Sequence, residues 1–374
     1  SAGMTAVCTG IRARSIEDIT AIIALYRPGP MDSTPRFIEC SQHPEKITYK
    51  HELLRPILEV TYGCIVYQEQ VIQIFRQLAG FSLGQADMIR RAMSKKKHAV
   101  IDAERVAFVH GDVQRGISGA VANGVPEAVA DSIYDEILDF ASYAFNKAHA
   151  VSYAIVCYRT AYMKRHYPQQ YMAALLTSVL DVSAKIAEYI AECRDMGIQL
   201  LPPDVNESDA DFTVAGSNIR FGLAAIKGVG RGAVSELMEE RTKGGVFRDF
   251  DDFLRRMSGK ELNRRAIENM ILAGCFDGMG FTRRALSAAI GPALESIARE
   301  RRDNFAGQMD LFGMLSEEAG NMHPGIQIQQ LAEYTKQERM AKEKEGTGLY
   351  LSGHPMDEYR EAVRRAGAVS IGAV

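Results

Sequence analysis

The chain has 374 residues, of which 47% are apolar and 24% charged, and its formal charge is −3. That composition belongs to a packed globular protein long enough for more than one domain, and it excludes wholesale disorder, collagen-like repeats and a disulfide-built scaffold. No apolar run reaches the roughly 18 residues a membrane span needs, so no membrane insertion is expected; the near-neutral charge leaves any polyanion-binding surface to local patches.

Residues 1–60 mix helix and turns. Ile16, Ile19, Ile22, Ile23 and Tyr26 recur at helical spacing, and Arg27-Pro28-Gly29-Pro30 should stop that helix. From Val66 to Ala79 the pattern is helical again, with Ile72, Phe75 and Leu78 on one face and Gly80 as the stop. Ser82-x-x-Gln85 reads as a capping box opening a helix that carries Asp87 to Lys97. Four glycines within 111–125 suggest a mobile connection, and Pro126 suits the first turn of a helix faced by Val129, Ile133, Ile137 and Phe140. Ala150–Tyr162 is apolar nearly all round, which predicts a largely buried helix. Pro168 opens another helix, and one more runs from Ser183 to Met196 before Gly197. Pro202-Pro203 marks a boundary, after which Phe212, Val214, Ile219 and Phe221 alternate around Gly216-Ser217-Asn218 as a hairpin. Short helices and glycine turns fill 226–300, 303–330 read as a linker, and the Lys- and Glu-rich 336–346 as a solvated or flexible helix. The fold class expected is mainly α with one small β-hairpin.

Three features point to chemistry. Five cations, Arg90, Arg91, Lys95, Lys96 and Lys97, fall in eight residues. Alone, they suit a solvated helix end as well as a phosphate site. Between Phe140 and Leu180 there is no Asp or Glu, while Lys147, Arg159, Lys164 and Arg165 alternate with Tyr143, Phe145, Tyr153, Tyr158, Tyr162, Tyr167 and Tyr171. Such a surface suits a polyanion with bases to stack, although each ring is equally at home in a core. Inside it, Phe145-Asn146-Lys147-Ala148-His149 falls at a helix start or corner, where Lys147 and His149 can meet a phosphate or sugar; a lone His equally suits a structural hydrogen bond, and spacing alone does not choose between the two.

Ile226-Lys227-Gly228-Val229-Gly230 resembles a helix-hairpin-helix turn, whose glycines bring backbone N–H groups to a DNA phosphate. Leu262–Gly280 reads as a degenerate second copy, with its turn at Ala273-Gly274-Cys275-Phe276 and cations from Arg264 and Arg265. Such pairs hold duplex DNA without reading its sequence. Gln308-Met309-Asp310-Leu311-Phe312, in the aperiodic stretch, resembles the clamp-binding pentapeptide of bacterial replication proteins. The six cysteines form no Cys-x-x-Cys pair and read as free buried thiols, and the histidines have no metal-ligand spacing, so no metal site is expected.

Tyr26-Arg27-Pro28-Gly29-Pro30, Tyr67-Gln68-Glu69-Gln70, Arg90-Arg91-Ala92-Met93-Ser94-Lys95-Lys96-Lys97 and Phe145-Asn146-Lys147-Ala148-His149 stand in order. Pro202-Pro203-Asp204-Val205-Asn206, Ile226-Lys227-Gly228-Val229-Gly230 and Gly348-Leu349-Tyr350-Leu351-Ser352-Gly353-His354-Pro355 follow. With these motifs the chain resembles, essentially throughout, the C family of bacterial replicative DNA polymerases, the polymerase III alpha subunits. The resemblance implies a multi-helix fingers domain over 1–199, a β-hairpin connection over 200–225 and a tandem helix-hairpin-helix region over 226–300. It also implies a linker with the clamp-binding peptide over 301–330, then a tail over 331–374 leading towards an OB-fold absent from this sequence.

In that family, Arg90, Arg91 and Lys95–Lys97 match the basic helix facing the incoming triphosphate, and Tyr143 a residue near the nascent base pair. His149 matches the position beside the incoming sugar, and Lys147 is a further phosphate candidate. Ser94 stands where glycine is common. Catalysis there uses palm aspartates N-terminal to these motifs and two metals, so no catalytic residue and no cofactor is expected in this chain, with Mg²⁺ in the missing palm. Asp209-Ala210-Asp211 does not match the palm motif and reads as a surface turn. The implied function is DNA-directed DNA synthesis in chromosome replication, in a bacterial cytoplasm. Template-primer DNA, deoxynucleoside triphosphates, the sliding clamp and other replicase subunits are the implied partners. The isolated chain is expected to be inactive. The alternative is a non-catalytic helix-hairpin-helix DNA-binding module or scaffold.

Overall fold

A computed structural model describes residues 2–27, 33–94, 98–141, 145–305 and 325–367. The chain is mainly helical with one three-stranded sheet, and it divides into two compact units, Ser1–Tyr162 and Met163–Val374.

The first unit opens with α1 (Ala2–Ile11), α2 (Ile16–Leu25) and α3 (Thr34–Gln42). Ser15 and Asp18 form a reciprocal cap at the start of α2, as an S-x-x-D pattern permits. The Tyr62 hydroxyl donates to Asp18 at 2.7 Å. Burial works against ionisation of Asp18, but hydrogen bonds from the Arg14 backbone, Tyr62 and Ser15 outweigh it and hold its carboxyl below the usual range. A short turn, α4 (Arg55–Leu58), precedes α5 (Gln68–Ala79), α6 (Leu83–Ser94), α7 (His98–His110), α8 (Glu127–Ala141) and α9 (Lys147–His166). The boundary between the two units falls within α9.

Helix α5 is the axis of the unit's main core. Val71, Ile74, Phe75, Leu78 and Ala79 are buried along it, and Ile72 sits at the stripe's edge. Phe75 meets Phe81, Phe108 and Tyr134 edge-on, with ring centroids 5.2, 5.1 and 6.0 Å away. Gly80 ends the helix in the left-handed region (φ 76°), where a side chain would be strained. The Ser82–Gln85 box opens α6 as the sequence indicates.

Two expectations about its elements fail in this unit. The four-glycine stretch is a hydrogen-bonded loop: the Gly119 N–H donates to Ala79 and the Ala120 N–H to Phe108, while Ile117, Ala120 and Val125 are buried. Its glycines supply the left-handed turns that let the backbone double back onto α5 and α7. Helix α9 is mostly exposed rather than buried. Only Ala150 and Ala154 are covered, while Tyr153, Ile155, Val156, Tyr158 and Tyr162 face solvent. Apolar composition records a capacity for burial, and on α9 only these two alanines are fully buried.

The second unit holds α10 (Pro168–Thr177), α11 (Ser183–Asp195), β1 (Leu200–Leu201), β2 (Thr213–Ala215) and β3 (Asn218–Arg220). The strand order is β1-β3-β2, with β2 and β3 forming the expected hairpin in the register Val214↔Ile219. Strand β1 adds in parallel, two residues long and without a period to announce it. Then come α12 (Arg231–Gly244), α13 (Phe250–Met257), α14 (Arg264–Ala273), α15 (Arg283–Phe305), α16 (Lys336–Thr347) and α17 (Arg360–Arg365). One core joins Met172, Leu176, Ile186, Ile190 and Cys193 of α10 and α11 to Phe221, Phe250, Phe253 and Phe276. Four cysteines are buried, but Cys8 and Cys157 are exposed, unlike the buried thiols expected.

The segment 336–346, expected to be solvated or flexible, is a capped helix packed on α14. Its Glu343 is fully buried and accepts from Arg283 Nη1 at 3.0 Å and from the Leu351 and Ser352 N–H groups at 2.9 and 2.8 Å. Arg283 also forks onto Asp277 at 2.8 and 2.7 Å and donates to the Leu272 carbonyl. Burial works against its charge, but Asp277 and Glu343 outweigh that and hold the guanidinium above its ordinary pKa. Breaking one partner of such a buried pair leaves an uncompensated charge. Glu343→Ala should therefore destabilise the chain by about 3–5 kcal/mol in urea denaturation followed by circular dichroism. A loss below about 1 kcal/mol would show that the ion pair does not hold α16 in place.

Candidate nucleic-acid interface

Three of the motifs meet in the first unit. The start of α5 and the start of α9 lie side by side: Tyr67 and Phe145 form a parallel bridge, with the Gln68 N–H donating to the Phe145 carbonyl at 2.9 Å. Asn146 caps α9 through its side-chain oxygen, which accepts from the His149 N–H at 2.9 Å. Glu69 then accepts from the Lys147 N–H at 3.0 and 3.1 Å and from Asn146 Nδ2 at 2.9 Å. From α6, Arg90 donates to Gln68 Oε1 at 3.2 Å. From the end of α2, the Arg27 guanidinium lies 4.3 Å above the Phe145 ring.

Along the first turns of α9 the rings of Phe145, His149 and Tyr153 follow one another at four-residue intervals, with centroids 5.5 and 4.7 Å apart. His149 and Tyr153 are exposed, so the ladder offers a stacking face to solvent. Among the predicted residues, Arg90, Lys147 and His149 therefore come together with Phe145. Arg91 is on the same helix as Arg90 and points to solvent.

The cations of this site already have acidic partners. Asp87 holds Arg90 at 2.9 Å and Arg91 at 2.7 Å, and these guanidiniums, Arg90 first, keep its carboxyl below the usual range. Lys147 Nζ lies 3.1 Å from Glu17 and over the buried Tyr67 ring. The Tyr67 hydroxyl is buried with no hydrogen-bond partner, and burial pushes its pKa up. Lys95, Lys96, Lys97 and Tyr143 lie outside the described residues, as do Pro28–Pro30 and the peptide Gln308, Met309, Asp310, Leu311 and Phe312. Glu17, Gln68, Glu69 and Arg27 were not singled out for this site from sequence. No local pattern reveals Glu69 as the cap of a helix that starts 78 positions later.

The second unit carries the glycine turn. Gly228 has φ +77° and is exposed with Gly230, while Val229 is buried in the core. The element before the turn is a single 3₁₀ turn, Leu223–Ala225, rather than a helix. Gly230 is the N-cap of α12 and provides no side-chain acceptor, so the first N–H groups of α12 have no helical partner. Lys227, expected to face DNA, donates from Nζ to the Lys344 and Glu345 carbonyls at 3.3 and 2.9 Å, capping the C-terminal end of α16. Asn269 of α14 donates to the Lys227 carbonyl at 2.6 Å and ties the two hairpin elements together. Arg264 pairs with Glu268, whereas Arg265 is exposed without an ion pair among the described residues.

Among the described residues, no group of three or more His, Cys, Asp or Glu is placed to hold a metal ion. Asp209 and Asp211 pair with Arg241 and Arg231. A second Asp-x-Asp, Asp249-Phe250-Asp251, opens α13, with Asp249 as its cap and Asp251 paired with Arg255. Neither fits a two-metal centre. What the arrangement offers is stacking and cation contacts in one unit and exposed backbone N–H groups with a guanidinium in the other. No helix among the described residues is long and apolar enough to cross a membrane.

Residues 1–116 match the model of the bacterial DNA polymerase III alpha subunit finger domain, and residues 197–286 that of a helix-hairpin-helix motif. The chain is 43% identical to the DNA polymerase III subunit alpha of Thermus aquaticus, over 96% of this chain and 28% of that protein. It is 42% identical to the Bacillus subtilis subunit, over 99% of this chain and 32% of that one. For Escherichia coli K12 the figures are 39%, 98% and 31%. The chain is thus homologous, over nearly all its residues, to a stretch of the DNA polymerase III alpha subunits, and it spans 28–31% of the Thermus and Escherichia proteins.

Proposed function

We propose that this homologue of part of the DNA polymerase III alpha subunit is the fingers and duplex-binding portion of a bacterial replicative DNA polymerase. The observation that carries the reading is the meeting of Arg90, Gln68 and Phe145–His149 at one site, in a chain nearly all of which aligns with one stretch of those subunits. In this reading Arg90, Arg91 and Lys95–Lys97 take the triphosphate of an incoming deoxynucleotide and neutralise charge building on the leaving pyrophosphate. The ring ladder meets the nascent base pair with Tyr143, His149 lies beside the sugar, and the setting is a bacterial cytoplasm.

Nucleotidyl transfer itself needs Mg²⁺ held by carboxylates, and the proposal assigns those to a palm domain outside these 374 residues. A primer-extension assay with Mg²⁺ should accordingly show no synthesis by this chain; extension would mean that it holds its own catalytic carboxylates.

The second unit is read as the duplex holder, with the Gly228–Gly230 turn, the start of α12 and Arg265 on the phosphates. Affinity for duplex DNA should fall steeply with salt and vary little with sequence. Arg265→Ala should shrink the slope of log K against log salt by about 0.9, the value of one phosphate contact. Lys227→Met should leave that slope unchanged, because its ammonium already caps α16. A slope unaltered by Arg265→Ala would remove this residue from the DNA face.

The peptide Gln308–Phe312 is proposed to dock on a sliding clamp. Leu311 and Phe312 each contribute roughly 1.5–3 kcal/mol when fully buried in an apolar pocket. Replacing both with Ala should abolish clamp binding in a titration while leaving the thermal midpoint nearly intact. Retained binding, or unfolding of the double variant, would show that the pentapeptide is not a docking peptide.

A further inference from the structure

We propose that Gln68 and Glu69 are positioning residues of the nucleotide site: each fixes a contacting group in place, and neither needs to touch the nucleotide. The inference rests on reading the first unit as the nucleotide-binding part of a polymerase.

Helix α9 has no acidic residue in its first turn, so its own sequence leaves the positive end of the helix without a carboxylate. Glu69 supplies one from α5, with both oxygens on the Lys147 N–H and one also on Asn146 Nδ2. That grip fixes how the first turn of α9 is rotated, and the rotation sets where the His149 ring stands between Phe145 and Tyr153. A free carboxylate beside a triphosphate would repel it. Glu69 is instead turned onto protein donors, which fits holding rather than binding.

Gln68 works on the other side of the site. Its N–H holds the Phe145 carbonyl and its side-chain oxygen accepts from Arg90, so one residue sets the guanidinium against the ring ladder. The segment that does this is itself fixed. Gln70 is buried, accepts from the Val66 and Tyr67 N–H groups at 2.8 and 2.9 Å, and donates to the Ile57 carbonyl and Thr61 Oγ1 at 3.1 and 2.7 Å. All four side-chain bonds of this amide are therefore satisfied inside the protein, and Gln68 and Glu69 project from a rigid base.

The test combines hydrogen–deuterium exchange with titration of the 374-residue chain by Mg²⁺–deoxythymidine triphosphate. Glu69→Ala should raise exchange at the first turn of α9 by about tenfold, the scale of a lost helix cap. It should weaken triphosphate affinity by about tenfold or more, because misplaced groups bind and orient poorly. Glu69→Gln, which keeps an acceptor oxygen, should recover affinity to within about threefold. Gln68→Ala should weaken affinity while leaving exchange in α9 unchanged. Unchanged affinity in Glu69→Ala despite a loosened α9, or unchanged exchange there, would overturn the proposal. If the unsubstituted chain binds no triphosphate, the nucleotide reading itself falls. A loosened α9 in Glu69→Ala would then leave these residues as determinants of fold alone.

Discussion

The arrangement of the first unit depends on one junction, where the start of α5 is pinned beside the start of α9. A single parallel bridge and one carboxylate make it. Helix α5 is the core's axis, so whatever is fastened to its first turn inherits the rigidity of Phe75, Leu78 and their neighbours. Helix α9, by contrast, buries only two alanines and has little core of its own. Its position at the candidate site therefore comes from polar bonds at its first turn. The bond from the Lys147 N–H is the strong one, because its acceptor, Glu69, is charged.

The second unit solves a related problem with a buried charge. Arg283 of α15 bonds the Leu272 carbonyl of α14, Asp277 of the turn between those helices and Glu343 of α16, and Glu343 also collects the backbone of Leu351 and Ser352. A buried ion pair contributes specificity when every donor and acceptor is matched, and is costly otherwise. Here the matching is nearly complete, and it sets α16 against the glycine turn. Lys227 then caps that helix, so the turn that presents backbone N–H groups is braced from behind. The same contact removes Lys227 from the free cations of the surface.

Charge in the candidate site is also less one-sided than a run of cations suggests. Asp87 is shared by Arg90 and Arg91, and Glu17 holds Lys147. These acids orient the cations and temper their mutual repulsion. A polyanion arriving at such a site meets guanidiniums already ordered, which lowers the entropy lost on binding.

Much of this was open to reading in the residues themselves. The capping box at Ser82, the stop at Gly80, the face of α8, the hairpin around Gly216 and the mainly α class all follow from local periodicity and turn chemistry, because the interactions behind them span only a few residues. The motifs announced a polymerase-like chain, and the similarity to the alpha subunits bears that out. Other features required the tertiary structure. The exposure of α9 contradicts its composition, since burial depends on a partner surface that no helix specifies alone. The docking of α16, the diversion of Lys227 and the grip of Glu69 on α9 join residues 60, 117 and 78 positions apart. Spacing along a chain constrains what a residue meets within a turn or two, whereas contacts at those distances exist only after the core has chosen which elements lie together.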